Sequence, residues 1–409
     1  MNILNIQLNK NHFHTLLQLN HHGHNVYTNW HGAHEYENLL GIKTLSATDN
    51  TIINVGNQDQ VLDYVYTFIK HYDIDVLQVS DPTKSYLHTH FHKLVKLYIG
   101  PSEKVARLET DKLFAKRMAD TVNIKTPAIL KQGKYSDADY CTNLTFPTIE
   151  KPSNFWAPAV NYFSEEEAKK AIELRDKGSW PYSGNPNDEY FIEEYIDDMI
   201  ETNVFFVISN GEYRITHTQQ IIGENENKTI EQKVWYIGSY IQPLTPEVDK
   251  IVRKQAEPYL EKIAKMGGNY EGSFCGAYTS SGDWYFLETN VRPDVFNSTP
   301  TFMTGDDYLK GYIDDINLFE EAWEGKTCDK LLITTLHAEE EYPIHLHEKY
   351  EVALPNNLEY KDNKFYVSKY GTDHDKGCGT VVSDFKIPKE FVQEVESTTH
   401  WKFNEEPIR

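Results

Sequence analysis

Cysteine is scarce and scattered. Cys141, Cys275, Cys328 and Cys378 are the four in a chain of 409 residues, and no two form a CxxC pair. A disulfide framework and a thiolate zinc site are thereby excluded as organising elements. Long apolar runs are missing as well: nothing reaches the roughly 18 residues a membrane span needs. The opening MNILNIQLNKNHFHTLLQLN also lacks the basic segment, apolar core and small-residue cleavage site of a secretory leader. A cytoplasmic protein is expected. Positive charge is in deficit, with 40 Lys plus Arg against 62 Asp plus Glu and a formal net charge of -22. Such a surface repels polyphosphate backbones and anionic lipid, so neither nucleic acid nor a membrane is expected as a partner, while a local basic site for a small anion stays open. Repeats, low-complexity tracts and coiled-coil heptads are absent.

What is present is core-forming material. Hydrophobic residues make up 39% and aromatics 13%, enough apolar surface to offset chain entropy. The length predicts two to four packed units. NILNIQL reads as a buried strand, followed by Leu16, Leu17 and Leu19 and a turn at Gly23, and DIDVLQVSDP (73–82) repeats that pattern. Strands alternating with helical stretches predict an open parallel α/β unit over 1–105. Phe114, Met118 and Val122 then mark an amphipathic helix. FPTIEKP is a strand that ends near Lys151, and Ser164 with Glu167 sit at capping-box spacing for a helix. YFIEEYI and NVFFVISNG are further strands, the second turning at Asn210-Gly211. Residues 221–240 have no clear period and read as a long loop, the kind that tends to be functional. Thr245 and Pro246 open a helix that Gly267-Gly268 ends. GSFCGAYTS and DWYFLETNVR pair across Ser281-Gly282. Beyond about residue 330, LLITTLHA, YEVALP, FYVSKYG and GTVVSDF predict a small β-rich unit, giving divisions at 1–105, 106–330 and 331–409.

Two patterns bear on chemistry. Seven of 17 histidines fall between His12 and His34, and His88, His90 and His92 would share one face of a strand, as metal ligands sometimes do; the plainer reading is surface imidazoles. The other is YFLETNVRP (285–293). On a strand, Glu288, Asn290 and Arg292 project to one face and Leu287, Thr289 and Val291 to the other. A carboxylate and an amide oxygen are hard ligands suited to Mg²⁺, and a guanidinium beside them suits an anion. A solvated edge-strand face is the competing reading of that row alone.

The order of the remaining pieces adds to it. Lys112 follows a helix start, Lys151 ends a strand before a loop, Glu193 and Glu194 lie on an acid-rich strand, and then comes the 285–293 row. Taken in order, these resemble the ATP-grasp superfamily, and within it the phosphoribosylamine-glycine ligases, also called glycinamide ribonucleotide synthetases. YIGPSEKVARLETDKLFAKRMADTVNIKTP is similar to the family's segment closing the first domain, FIEEYIDDMIETNVFFVISNG to its adenine-binding strand and hairpin, and GSFCGAYTSSGDWYFLETNVRPD to its metal strands. The resemblance covers roughly residues 95 to 300, with a looser echo in KYGTDHDKGCGTVVSDF.

The resemblance implies an ATP-grasp fold: an N-terminal open parallel α/β domain, an ATP-grasp domain with a lid subdomain at about 123–195, and a small β-rich C-terminal domain. It also implies ATP and Mg²⁺ as cofactors. Glu288 and Asn290 would hold Mg²⁺, Arg292 would steady the γ-phosphate or the acyl phosphate made from it, and Lys112 and Lys151 would contact phosphates. Glu193 or Glu194, with Tyr195 and Ile196, would meet adenine, and Glu201 the ribose. The chemistry implied is ligation of a small carboxylate, an amino acid being the candidate, to a small amine through an acyl phosphate.

Departures from the family's pattern fall mostly where its substrates bind. No glycine occurs before Gly23, the long loop has NKTIEQKVWYIGSY, keeping only Gly238, where the family has a glycine-rich segment, and PDVFNS follows Arg292. Asp294, Phe296 and Asn297, with Trp235 and Tyr236, are therefore the candidates for an altered substrate site. PSNFWAPAV, with two prolines, Phe155 and Trp156, replaces glycines of the phosphate loop. A genuine phosphoribosylamine-glycine ligase and a nucleotide-binding scaffold without turnover are the alternatives.

Overall fold

The computed structural model describes residues 1–7, 13–29, 42–137, 142–153, 159–176, 187–222, 239–293, 303–325, 329–334, 366–370 and 378–383. It opens with β1 (Asn2–Ile6), which pairs in parallel with β2 (Asn25–Thr28) on one side and β4 (Val76–Val79) on the other. β3 (Lys43–Thr44) extends the sheet beyond β2, and β5 (Leu97–Pro101) lies parallel to β4. Ile3, Leu4, Asn5 and Ile6 are all fully buried, so both faces of β1 are covered. That is the condition under which a parallel strand reads as a continuous apolar run. The cover includes α1 (Phe13–His21), α2 (Ala47–Val55) and α3 (Gln58–His71), the last opened by a capping box between Asn57 and Gln60.

The sheet does not stop at β5. Pro101 and Gly100 pair antiparallel with Gly268 and Asn269 at the start of β13 (Gly268–Thr279), so the parallel strands and an antiparallel half form one mixed sheet. In that half β13 pairs with β10 (Met199–Ser209), β10 with β11 (Glu212–Ile222), β11 with β12 (Ser239–Pro243), and β14 (Trp284–Asn290) lies on the other edge of β13. β15 (Asp329–Thr334), β17 (Cys378–Ser383) and β16 (Tyr366–Tyr370) continue beyond β12. A separate antiparallel sheet is ordered β6 (Ile129–Lys134), β9 (Glu189–Glu194), β7 (Thr148–Pro152), β8 (Val160–Tyr162).

The local signals behind these elements are physical ones. The Asn210-Gly211 turn joins β10 to β11 with both residues at positive φ (53° and 83°), as a tight hairpin demands. Thr245 caps the helix Pro246–Ala264, its hydroxyl accepting from Val248 N, and the chain leaves that helix through Gly267 and Gly268 at φ 95° and 94°. Val252, Ala256, Tyr259, Leu260 and Ile263 of this helix pack on Val204, Phe206 and Phe274 of the central strands.

One sequence expectation is corrected here. Residues Tyr86–Phe91 form a helix, α4, not a strand, so His88 and His92 meet one turn apart as rings stacked at 4.6 Å, while His90 leaves that face. Among the described residues no group of three or more His, Cys, Asp or Glu could hold a metal ion, and no helix is long and apolar enough to cross a membrane. The expected strand YEVALP lies outside the described residues.

Candidate functional site

Five elements meet at one place: the helices α5 (Glu103–Thr110) and α6 (Lys112–Asp120), strand β14 of the mixed sheet, and strands β7 and β9 of the separate sheet. Asp111 joins the two helices and caps α6, its carboxylate accepting from Phe114 N at 3.0 Å. Lys112 N in turn donates to Ser153 O at 3.0 Å, which ties the start of α6 to the chain just past β7.

β14 carries the row expected from the sequence, with one change of phase. Cys275 pairs with Glu288 and Gly276 with Phe286, so Leu287 is an extra residue in a β-bulge. Leu287 therefore does not join Thr289 and Val291 as expected. The buried set is Trp284, Phe286, Thr289 and Val291, and Leu287 is only half-buried. Glu288 and Asn290 lie opposite Cys275 and Ser273 of β13. Asn290 Nδ2 lies 3.8 Å from Cys275 Sγ, the thiol being buried beside the row.

Charges converge around that row. Lys112 Nζ stands 3.7 Å from Glu288 Oε2, and Arg292 Nε donates to Glu109 Oε1 at 2.7 Å while Val291 N donates to Glu109 Oε2 at 2.9 Å. On the separate sheet Lys151 Nζ is 2.6 Å from Glu193 Oε1, and Lys116 Nζ pairs with the other oxygen of the same carboxylate. Glu193 and Lys116 are almost wholly buried and Lys151 nearly so. Four cations thus face three carboxylates, a locally positive site on an acidic chain.

The titration behaviour follows from this crowding. Burial pushes the Glu288 carboxyl up, but Lys112, Lys151 and Arg292 outweigh it and hold the group below the usual carboxylate range. Burial pushes Lys151 down, and Glu193 with Glu288 overcome that, leaving it raised. Lys116 is the reverse: burial, with Lys151 adding to it, wins over Glu193 and brings the ammonium down to about 8. Glu109 is raised because burial exceeds the help from Arg292 and Val291 N.

An ionised carboxylate and an amide oxygen on one strand face, with Glu288 about one-third exposed, fit a hard cation that completes its shell with water and phosphate oxygens. The residues fit Mg²⁺ as a two-ligand site of that kind.

The other expected residues are placed as follows. Glu193 points into the lysine pair. Glu194 accepts from Ala128 N at 3.0 Å and so ties β9 to the chain before β6. Tyr195 and Ile196 are half-buried in the connection from β9 to β10, Tyr195 edge-on to Phe163 at 5.6 Å. Glu201 lies on β10 opposite Ile221 and Ala277, half-buried. Phe155, Trp156, Trp235, Tyr236, Asp294, Phe296 and Asn297 lie outside the described residues.

Lys116 and Glu109 were not anticipated, although the sequence holds a signal for both. Lys116 stands three residues from Leu113 and Ala119, and Glu109 four and three from Val105 and Ala106, so helical spacing puts each charge on a buried face. A buried charge needs a partner, and the partners lie far away in sequence.

This architecture is the ATP-grasp fold, with a mixed sheet and a separate antiparallel sheet. No protein-family model matches the sequence. Among solved structures, an L-amino acid ligase from Bacillus licheniformis superposes with a TM-score of 0.67 at 12% identity, covering 99% of each chain. An ADP complex of N5-carboxyaminoimidazole ribonucleotide synthetase gives 0.64 at 13%, covering 97% of this chain and 96% of that one. Phosphoribosylamine-glycine ligase from Thermotoga maritima gives 0.59 at 13%, covering 98% and 97%.

Proposed function

We propose that this chain is an ATP-dependent ligase that joins a small carboxylate, an amino acid in the first instance, to an amine by way of an acyl phosphate. The observation that carries the reading is the convergence of Lys112 from α6, Lys151 from β7, and Glu288 and Arg292 from β14 and the residues just past it, onto one locally positive site. The similarity to an L-amino acid ligase over the whole chain supports the amino acid as carboxylate.

In this reading Lys112 and Lys151 bind the β- and γ-phosphates as point charges. Glu193 holds Lys151 in place from behind, so Glu194, Tyr195 and Ile196 are left to meet the adenine edge and Glu201 the ribose hydroxyls. Glu288 and Asn290 hold Mg²⁺, which when bound neutralises charge on the transferring phosphoryl group. Arg292, oriented by Glu109, fixes the anionic acid for in-line attack and then steadies the acyl phosphate while the amine displaces phosphate. No side chain needs to act as nucleophile. Trp235, Tyr236, Asp294 and Asn297 belong to the substrate side, and the division at 1–105, 106–330 and 331–409 is part of the same proposal.

The test is ADP production by purified protein with Mg·ATP and the amino acids taken singly and in pairs. Amino-acid-dependent ADP release supports the reading. Rapid release only with glycine plus phosphoribosylamine would make it a phosphoribosylamine-glycine ligase instead, and ATP binding without turnover under any condition would make it a scaffold.

A further inference from the structure

Cys275 stands between the two residues read as metal ligands, and the phosphate chemistry makes no use of its sulfur. It pairs with Glu288 across β13 and β14, its thiol hydrogen-bonds that carboxylate, and Asn290 Nδ2 lies 3.8 Å from Sγ. Residues directly opposite on an antiparallel pair share a face, so the three side chains stand together. The next residue of β13 on that face is Ser273, opposite Asn290. Ser273 is fully buried, and among the described residues its hydroxyl has no hydrogen-bond partner. A buried hydroxyl left unpaired marks a group still missing from the site. The row is not sealed, because the Glu288 side chain at its other end is about one-third exposed.

The spacing is that of two ligands on one ion. A Zn–S bond of roughly 2.3 Å and a Zn–O bond of roughly 2.1 Å, set at a tetrahedral angle, put their donor atoms roughly 3.6 Å apart. The Asn290 amide and the Cys275 sulfur are 3.8 Å apart. A half-turn of the amide exchanges Nδ2 for Oδ1 at nearly the same place and gives up only a weak bond to sulfur. Cys275 Sγ, the Glu288 carboxylate and Asn290 Oδ1 then supply three protein donors. A fourth position stays open for water or a phosphate oxygen, as in zinc sites that do chemistry. Magnesium prefers a shell of oxygens and gains nothing from sulfur.

We infer that Cys275 is a third metal ligand, through which the row takes a borderline, thiophilic divalent cation of the Zn²⁺ class in preference to Mg²⁺. The inference rests on the reading of Glu288 and Asn290 as the metal row. Mg²⁺ uses those two oxygens and water, whereas a Zn²⁺-class ion adds the sulfur, whose proton passes to the buffer as the metal binds. The Ser273 hydroxyl gains its missing partner in a water of the ion's shell. The set holds one cysteine, one glutamate and an amide, so it is a mixed site in which the sulfur alone separates the two classes of metal. Most nitrogen, oxygen and sulfur sites bind Zn²⁺ well, so the test must read the sulfur itself.

Cd²⁺, a thiophilic probe, is titrated into the full reduced chain without nucleotide and at fixed pH, and the thiolate-to-cadmium charge-transfer absorption is followed. The first equivalent is expected to give a band that Zn²⁺ displaces and excess Mg²⁺ does not. Cys275→Ser is expected to lose that band and to bind Cd²⁺ at least roughly tenfold more weakly, the smallest loss usual for a group that supports a metal. On the unmodified chain, Zn²⁺ is expected to slow alkylation of Cys275, read by mass spectrometry of its peptide, at concentrations where Mg²⁺ has no effect. A first-equivalent band of equal size in Cys275→Ser, or alkylation of Cys275 that Zn²⁺ leaves unchanged, would overturn the inference. The alkylation measurement needs no variant to fold. Failure of the chain to bind Mg·ATP or to form ADP would count against the ligase reading and leave the cadmium and alkylation results standing.

Discussion

Lys151 and Glu193 lie 2.6 Å apart across the small sheet, and the second oxygen of Glu193 holds Lys116. One buried carboxylate therefore pairs with two buried ammonium groups, and removing it takes from both their nearest counter-charge. Glu193→Ala is expected to lower stability by about 3–5 kcal/mol, read as a lower midpoint in urea. Glu193→Gln keeps the shape and one acceptor and should lose less. A Glu193→Ala protein as stable as the parent would show that the lysines find other partners.

Lys116 gives the site a pH dependence of predictable sign. Its folded value of about 8 lies below the unfolded one because burial, then Lys151, outweigh Glu193 and Asp120. Between about pH 8 and the unfolded value near 10.5 the unfolded chain holds a proton that the folded chain has released. The contribution of Lys116 to stability thus rises with pH over that window. In the folded chain its charge is lost around pH 8, so affinity for Mg·ATP should fall severalfold between about pH 7 and 9. Lys116→Met should bind more weakly at pH 7 and lose most of this slope. Titration with a fluorescent nucleotide at constant ionic strength measures both.

Glu288 separates metal-dependent from metal-independent binding. Its carboxylate is kept ionised by Lys112, Lys151 and Arg292, the state a hard cation requires. Glu288→Gln removes that charge but leaves the lysines. Nucleotide should still bind without Mg²⁺, the gain in affinity on adding Mg²⁺ should disappear, and ADP production should fall by about 10²–10³. Affinity that still rises with Mg²⁺ in Glu288→Gln would put the cation elsewhere.

Much of this was legible because it is local. The period of two in YFLETNVRP places Glu288, Asn290 and Arg292 on one face, and the Asn210-Gly211 turn and the Thr245-Pro246 start lie where the sequence put them. What escaped is long-range or breaks a period. The pairing of β5 with β13 links residues some 170 positions apart, and nothing near Gly100 announces it. The bulge at Leu287 shifts the phase of a strand whose composition looks regular. Lys116 and Glu109 resemble a solvated helix face until the opposing charges are brought up against them. His88, His90 and His92 alternate as strand residues would, yet the helix places His88 beside His92 and spoils the face.

The bulge also makes stability and turnover separable at Gly276. A Cβ there would fall 2.2 Å from Trp284 Nε1, on a ring that is fully buried. That ring is fixed, since Trp284 Nε1 donates to Thr202 Oγ1 at 2.9 Å and the Thr202 hydroxyl donates to Gly276 O at 3.2 Å. The indole cannot move aside without breaking both bonds, so Gly276→Ala is expected to cost about 1–3 kcal/mol by overpacking. Cys275, one residue before, pairs with Glu288, so the displaced strand carries the metal row with it. ADP production by Gly276→Ala should fall further than its folded fraction accounts for. Trp284→Phe provides the control, because it removes the N–H and part of the ring and leaves the glycine backbone alone. Its loss should appear in the urea midpoint, with turnover per folded molecule close to the parent. If Gly276→Ala instead matches the parent in turnover per folded molecule, the bulge does not set the position of Glu288.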